Sequence, residues 1–132
     1  MSELYRRGLK EITSIDPENG AGFIEEVRKA SPDLSEYFVE FGFGEIYSRE
    51  VLDSKTKALI AISSLVGIGH CQSHLKILIL GALRAECSKE EIIETIIQSI
   101  PHVGFPSTLL AMKTAAEAFR SNPTISKPKR RT

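Results

Sequence analysis

The chain of 132 residues has no tryptophan, two cysteines, two methionines and three histidines. Its scarcities exclude more than its bulk composition does. Two cysteines do not make a disulfide scaffold. If Cys71 and Cys87 share one helix, their 16-residue separation puts them ~24 Å apart at ~1.5 Å per residue. That is beyond disulfide reach within one chain. The longest apolar run, from Ala58 to about Ile68, is interrupted by Ser63, Ser64 and Gly67. It falls short of the ~20 residues that span a bilayer, so no membrane partner is expected. The opening MSELYRRGLKEI is charged and lacks the apolar core of a secretory signal, so a cytoplasmic protein is expected. Period-two alternation and hairpin dipeptides are absent, which argues against β-sheet. Gly42-Phe43-Gly44 lacks the preceding strand and third glycine of a dinucleotide fingerprint, and phosphate-loop and serine-elbow patterns are missing.

Net charge is also absent, at 0 overall, but it is unevenly placed. Lys127, Lys129, Arg130 and Arg131 crowd the last six residues, which leaves −4 on the remainder. A net-acidic body argues against a nucleic-acid partner. One domain over residues 1–120 is expected, with 121–132 as a basic tail.

What is present is helical throughout. A first helix over about 2–14 stops before Asp16-Pro17. A second, 21–30, turns Phe23, Val27 and Ala30 inward. Ser31-Pro32-Asp33 starts a third, with Leu34, Tyr37, Phe38, Phe41 and Ile46 inward and Gly42 and Gly44 marking a bend or close approach. A central helix begins near Asp53-Ser54 and is apolar nearly all round from Ala58 to Val66, predicting full burial. The next starts near His70 and runs to about Glu86. Ser88 with Glu91 forms a capping box opening a helix with Ile92, Ile93, Ile96, Ile97 and Ile100 as its buried face. Pro101 and Gly104-Phe105-Pro106 break or kink it, and a last amphipathic helix over 107–119 carries Leu109, Leu110, Met112, Ala116 and Phe119. The fold expected is an all-α domain of six to seven helices. So much apolar helix surface in so short a chain predicts homo-oligomerisation.

The chemistry concentrates in GHCQSHLKILILGAL, residues 69–83, and HVGFP, residues 102–106, which together hold every histidine. Cys71 and His74 are i, i+3 and share a helix face. With Cys71 in the first turn, the unpaired backbone N–H groups favour its thiolate, and His74 is placed as its base. His102 follows Pro101 at the helix break and is placed to line the same cavity. His70 and His74, at i, i+4, suit two metal ligands on one face, but no carboxylate completes the set, so no metal and no cofactor are expected. The structural alternatives are a buried inert cysteine, surface histidines, and His70 capping the turn.

Three stretches carry a family resemblance: FGFGEIYSREVLDSKTKALIAISSLVGIG at 41–69, LKILILGALRAECSKEEIIETIIQ at 75–98 and HVGFPSTLLAM at 102–112. Their order and spacing resemble the carboxymuconolactone decarboxylase family, which includes the alkyl hydroperoxidase D-like proteins. The resemblance implies an all-α, alkyl hydroperoxidase D-like fold assembled as a homotrimer or homohexamer, with active sites near subunit contacts. Hydroperoxidase-like members carry C-x-x-C-x-x-x-H; Cys71 matches the first cysteine, His74 stands at the second and Leu78 at the histidine. Decarboxylase-like members also carry the histidine replaced by Leu78. The glutamate that hydroperoxidase-like members carry before this motif falls at Ala58, Lys57 replaces an arginine, and His102 replaces a tyrosine. The candidate catalytic residues are therefore Cys71, His74, His102 and Lys57. Two chemistries compete: decarboxylation of a lactone, with Lys57, His74 or His102 stabilising an enolate, and peroxide reduction by Cys71 with an external thiol or Cys87 of another subunit resolving it. The expected partner molecule is a small organic substrate or a peroxide. The rival from another class is a non-catalytic oligomeric binding or scaffold protein.

Overall fold

The computed structural model describes residues 1–122, and among these there are seven α-helices and no strand. The chain is all-α, as expected. The basic residues at 127, 129, 130 and 131 lie outside the described residues. The chain forms two compact units, Met1–Asp53 and from Ser54 onward.

In the first unit, α1 (Glu3–Ile15) is capped by Ser2, whose hydroxyl accepts the Tyr5 N–H at 3.0 Å. Helix α2 (Gly20–Ala30) follows, and α3 (Pro32–Glu36) opens with Ser31 accepting the Leu34 N–H at 3.2 Å. Helix α3 winds directly into a π-helical segment, Tyr37–Tyr47. Gly44 marks the expected close approach: a Cβ there would sit 2.5 Å from the Leu4 carbonyl oxygen, whereas Gly42 faces open space. The core is Ile12, Ile24 and Val39.

The expected inward face is corrected here. Phe23, Leu34, Tyr37, Phe41 and Ile46 are exposed, Tyr37 to 69%. The buried stripe is instead Ser35, Val39 and Gly44. Two physical causes combine. The i→i+5 winding changes which residues share a face. Small residues at Gly8, Gly20 and Gly44 let backbones meet, which leaves the large side chains outside.

The second unit contains α4 (Ser54–Ile68), α5 (Gln72–Arg84), α6 (Lys89–Val103) and α7 (Phe105–Ser121). Helices α4 and α7 each pack against both α5 and α6. The core joins Ala58, Ile62 and Val66 of α4 to Leu75, Ile79 and Ala82 of α5. Ile92 and Ile96 of α6 and Ala111, Ala115 and Ala118 of α7 complete it. Helix α4 is not buried all round: Ala58, Ile62 and Val66 at i, i+4, i+8 are buried, while Ile60 and Ser64 are exposed. Helix α5 starts two residues later than expected. Gly69 at φ +84° and a bend at His70 precede it, and Cys71 is its N-cap residue.

The α5–α6 turn closes with the Cys87 N–H donating to the Ala82 carbonyl at 2.9 Å and Glu86 at φ +72°. The capping box forms: Ser88 Oγ accepts the Glu91 N–H at 3.0 Å, and Glu91 Oε1 accepts the Ser88 N–H at 2.9 Å. Helix α6 runs through Pro101 instead of breaking there, because a proline in the last turn forfeits a single backbone bond. Gly104, at φ +80°, ends it. Of its isoleucines, Ile92 and Ile96 are buried, Ile93 and Ile100 half-buried and Ile97 exposed. Helix α7 buries Thr108, Ala111, Thr114, Ala115 and Ala118, whereas Leu109 (66% exposed) and Leu110 face out. Ala111, Ala115 and Ala118 of α7 share one core with Ala82 of α5, and the two helices pack together without Leu109 and Leu110.

Candidate functional site

Helices α4 and α6 run side by side in the same direction. At their starts Lys55 Nζ lies 3.1 Å from Glu91 Oε1, and the Cys87 thiol points at the Lys55 carbonyl at 3.6 Å. At their ends, a Cβ on Gly67 would lie 3.6 Å from Val103 Cγ1. Between the outer flanks of the pair lies an open groove of about 900 Å³. Helix α4 contributes Thr56, Leu59, Ile60 and Ser63, one face at i, i+3, i+4, i+7. Helix α6 contributes two rows at every fourth residue: Glu90, Glu94, Gln98 and His102, and Glu91, Thr95 and Ser99, with Val103 at the end.

The polar groups of this groove differ in what they can do. Ser63 donates its hydroxyl to the Ile60 carbonyl at 3.1 Å, Thr95 to that of Glu91 at 2.8 Å and Ser99 to that of Thr95 at 2.9 Å. These three hydroxyls are spent on the helix backbone. The Glu91 carboxyl is held below the ordinary carboxylate range, first by the Ser88 backbone N–H and then by Lys55. Gln98 Nε2 donates to Glu94 Oε2 at 2.8 Å. His102 is exposed, in the last turn of α6, and is the imidazole of the groove.

Of the four candidate catalytic residues, His102 lines this groove; Cys71, His74 and Lys57 are not among its lining residues. Cys71 is half-buried, and its side chain makes no capping bond to α5. The expectation that it lies inside the first helical turn is corrected: it precedes Gln72, the first helical residue. His74 is exposed on α5, and Lys57 is half-buried on α4. His70 lies before α5, so the i, i+4 helical pair with His74 does not form. Its Nδ1–H donates to the Ile68 carbonyl at 3.1 Å, bracing the turn between α4 and α5. Among the described residues no three His, Cys, Asp or Glu side chains gather as a metal site. Cys87 is buried at 4% exposure.

Sequence reasoning passed over Glu90, Glu94 and Gln98. Their signal was present as the every-fourth-residue recurrence that ends on His102, on the flank of the isoleucine stripe. Ala58 belongs to the hydrophobic core of the second unit, and Leu78, half-buried, packs against it. Neither position offers a reactive group, and none of the described helices is long and apolar enough to cross a membrane.

The chain is 26% identical over 117 residues to a 4-carboxymuconolactone decarboxylase of Acinetobacter baylyi, covering 88% of this chain and 87% of that protein. It is 31% identical over 94 residues to an uncharacterized 15.0 kDa protein in the nqo9-nqo10 intergenic region of Paracoccus denitrificans, covering 70% of each. Residues 32–117 match the carboxymuconolactone decarboxylase family, spanning α3 through most of α7. The chain belongs to the carboxymuconolactone decarboxylase family.

Proposed function

We propose that the protein is a small-molecule enzyme of its family that works by acid–base chemistry in the α4–α6 groove, with His102 as the proton-transferring group. The observation that carries this is the position of His102 at one end of a groove walled by Leu59, Ile60 and Val103, where the Ser63, Thr95 and Ser99 hydroxyls are tied to backbone carbonyls. A histidine is ionisable near neutral pH and serves as acid or base. Authentic decarboxylation of 4-carboxymuconolactone is not the expected reaction. Leu78 stands where the resemblance puts a histidine in decarboxylase-like members, and here it is half-buried against the core. The exposed Phe105, Leu109 and Leu110 support assembly as a homo-oligomer, trimer or hexamer.

A second reading, thiol-dependent peroxide reduction, is supported by the partial exposure of the free Cys71. Cys87 lies beyond the far end of α5, so resolution within one chain is out of reach, and an external thiol is required. The two readings part in one experiment. Purified wild-type, His102→Ala and Cys71→Ser proteins are incubated with 4-carboxymuconolactone, with hydrogen peroxide plus dithiothreitol, and with a panel of small organic acids, amines and lactones followed by mass spectrometry. The primary reading expects a compound consumed by wild type and Cys71→Ser but spared by His102→Ala. Lactone turnover in the ordinary range of ~1–1000 per second would overturn the exclusion of authentic decarboxylation. Peroxide consumption lost only in Cys71→Ser favours the second reading. Silence in every assay leaves the non-catalytic scaffold as the role of the fold.

A further inference from the structure

The groove has a charge polarity that selects its occupant. Its lining contains three carboxylates, Glu90, Glu91 and Glu94, and neither lysine nor arginine. The nearby cations are directed elsewhere. The Lys55 ammonium is 3.1 Å from Glu91, which it neutralises together with the Ser88 N–H. Lys89 lies over the Phe119 ring, 5.5 Å from its centre, toward α7. Glu94 accepts from the neutral amide of Gln98 at 2.8 Å. Glu90 and Glu94 are one turn apart on α6, both exposed, and no cation pairs with either among the described residues. The remaining wall is apolar: Leu59 and Ile60 of α4 and Val103 of α6. From Glu94 to His102 the α6 axis covers ~12 Å at ~1.5 Å per residue.

Resting on the assignment of this groove as the site, we propose that it takes an amphipathic organic cation. A protonated amine sits at Glu90 and Glu94, and an apolar body of roughly ~12 Å runs along Leu59 and Ile60 toward His102. The carboxylates attract the ammonium and repel an anion of the same shape. Apolar contact along α4 supplies the sequence-independent part of the affinity. A carboxylated lactone, an anion at neutral pH, carries the wrong sign for this groove.

The test compares three probes of one length, n-octylamine, 1-octanol and octanoate, below their aggregation concentrations. Dissociation constants come from calorimetric titration, and contact residues from ¹H–¹⁵N shifts of the intact protein. The expected result is that n-octylamine binds about tenfold more tightly than octanoate at low salt, with 1-octanol between them. Shifts fall on α4 and α6, and the gap narrows with added salt. In Glu90→Gln/Glu94→Gln the gap collapses, while 1-octanol binds as before. That variant leaves the Ser88–Glu91 capping box intact, and its folding is checked by circular dichroism. If all three probes bind the groove with equal affinity, if octanoate binds best, or if the preference survives in the variant, the cation proposal is overturned and the groove assignment stands. If no probe shifts α4 or α6, the groove assignment itself fails and takes the proposal with it.

Discussion

Glu91 couples the cap of α6 to the start of α4, so its replacement separates two contributions to stability. Its side chain accepts the Ser88 N–H at 2.9 Å and lies 3.1 Å from Lys55 Nζ. Glutamine in its place keeps an acceptor for the Ser88 N–H and loses the charge. With both partners about 40% exposed, the pair contributes only ~0.2–1 kcal/mol after solvent screening. Alanine removes the acceptor as well, adding about 1 kcal/mol for half of a capping box. Glu91→Ala is therefore expected to lose roughly 1–2 kcal/mol at pH 7 and Glu91→Gln about 0.5 kcal/mol. The pH dependence follows from the direction of the Glu91 shift. Its folded-state value is lowered, so the stabilisation is present above the ordinary carboxylate range and disappears as pH falls through the lowered folded value. The deficit of Glu91→Gln relative to wild type should thus be full at pH 7 and vanish at an acid pH below that lowered folded value. Urea titrations of the three proteins at both pH values, at one fixed protein concentration, provide the measurement. A Glu91→Gln deficit that is the same at both pH values, or Glu91→Ala matching wild type at pH 7, would refute this account.

Further outcomes follow from particular backbone positions and thiols. Gly44→Ala places a Cβ 2.5 Å from the Leu4 carbonyl oxygen and should destabilise the first unit by more than ~1 kcal/mol, whereas Gly42→Ala meets nothing within 4 Å and should be neutral or stabilising. Paired thermal melts of the two variants read this directly, and equal melting temperatures would contradict it. Glu86→Gly relieves a left-handed residue at φ +72° and should gain up to ~1 kcal/mol; a loss of stability in urea would count against the turn geometry. Iodoacetamide should label Cys71 well before Cys87, which is 4% exposed; mass spectrometry showing Cys87 labelled first in the folded protein would reverse the assignment.

Local chemistry was legible in the sequence wherever it acts over a few residues. Ser31 and Ser88 cap the helices that their positions announce, and the Ser88–Glu91 box forms as its spacing requires. The all-α class followed from periodicity, and family membership from motifs spread over residues 41–112, within the matched span. Which apolar residues are buried was not legible. A helical period identifies a face, but it cannot say whether bulky or small residues meet the neighbour. Gly44 and the alanines of α7 took the inside, and Tyr37, Phe41 and Leu109 were left out, because close backbone approach and π winding are properties of packed pairs of helices. The same holds for the site. The two resembling stretches grouped Cys71, His74 and His102. Helix periodicity lines His102 up with Gln98 and Glu94 on α6, and tertiary packing sets that row against α4 to form a groove whose lining omits Cys71 and His74. Gly69, at a positive φ, and the bend at His70 delay the start of α5 by two residues, which makes Cys71 its N-cap instead of a residue of its first turn.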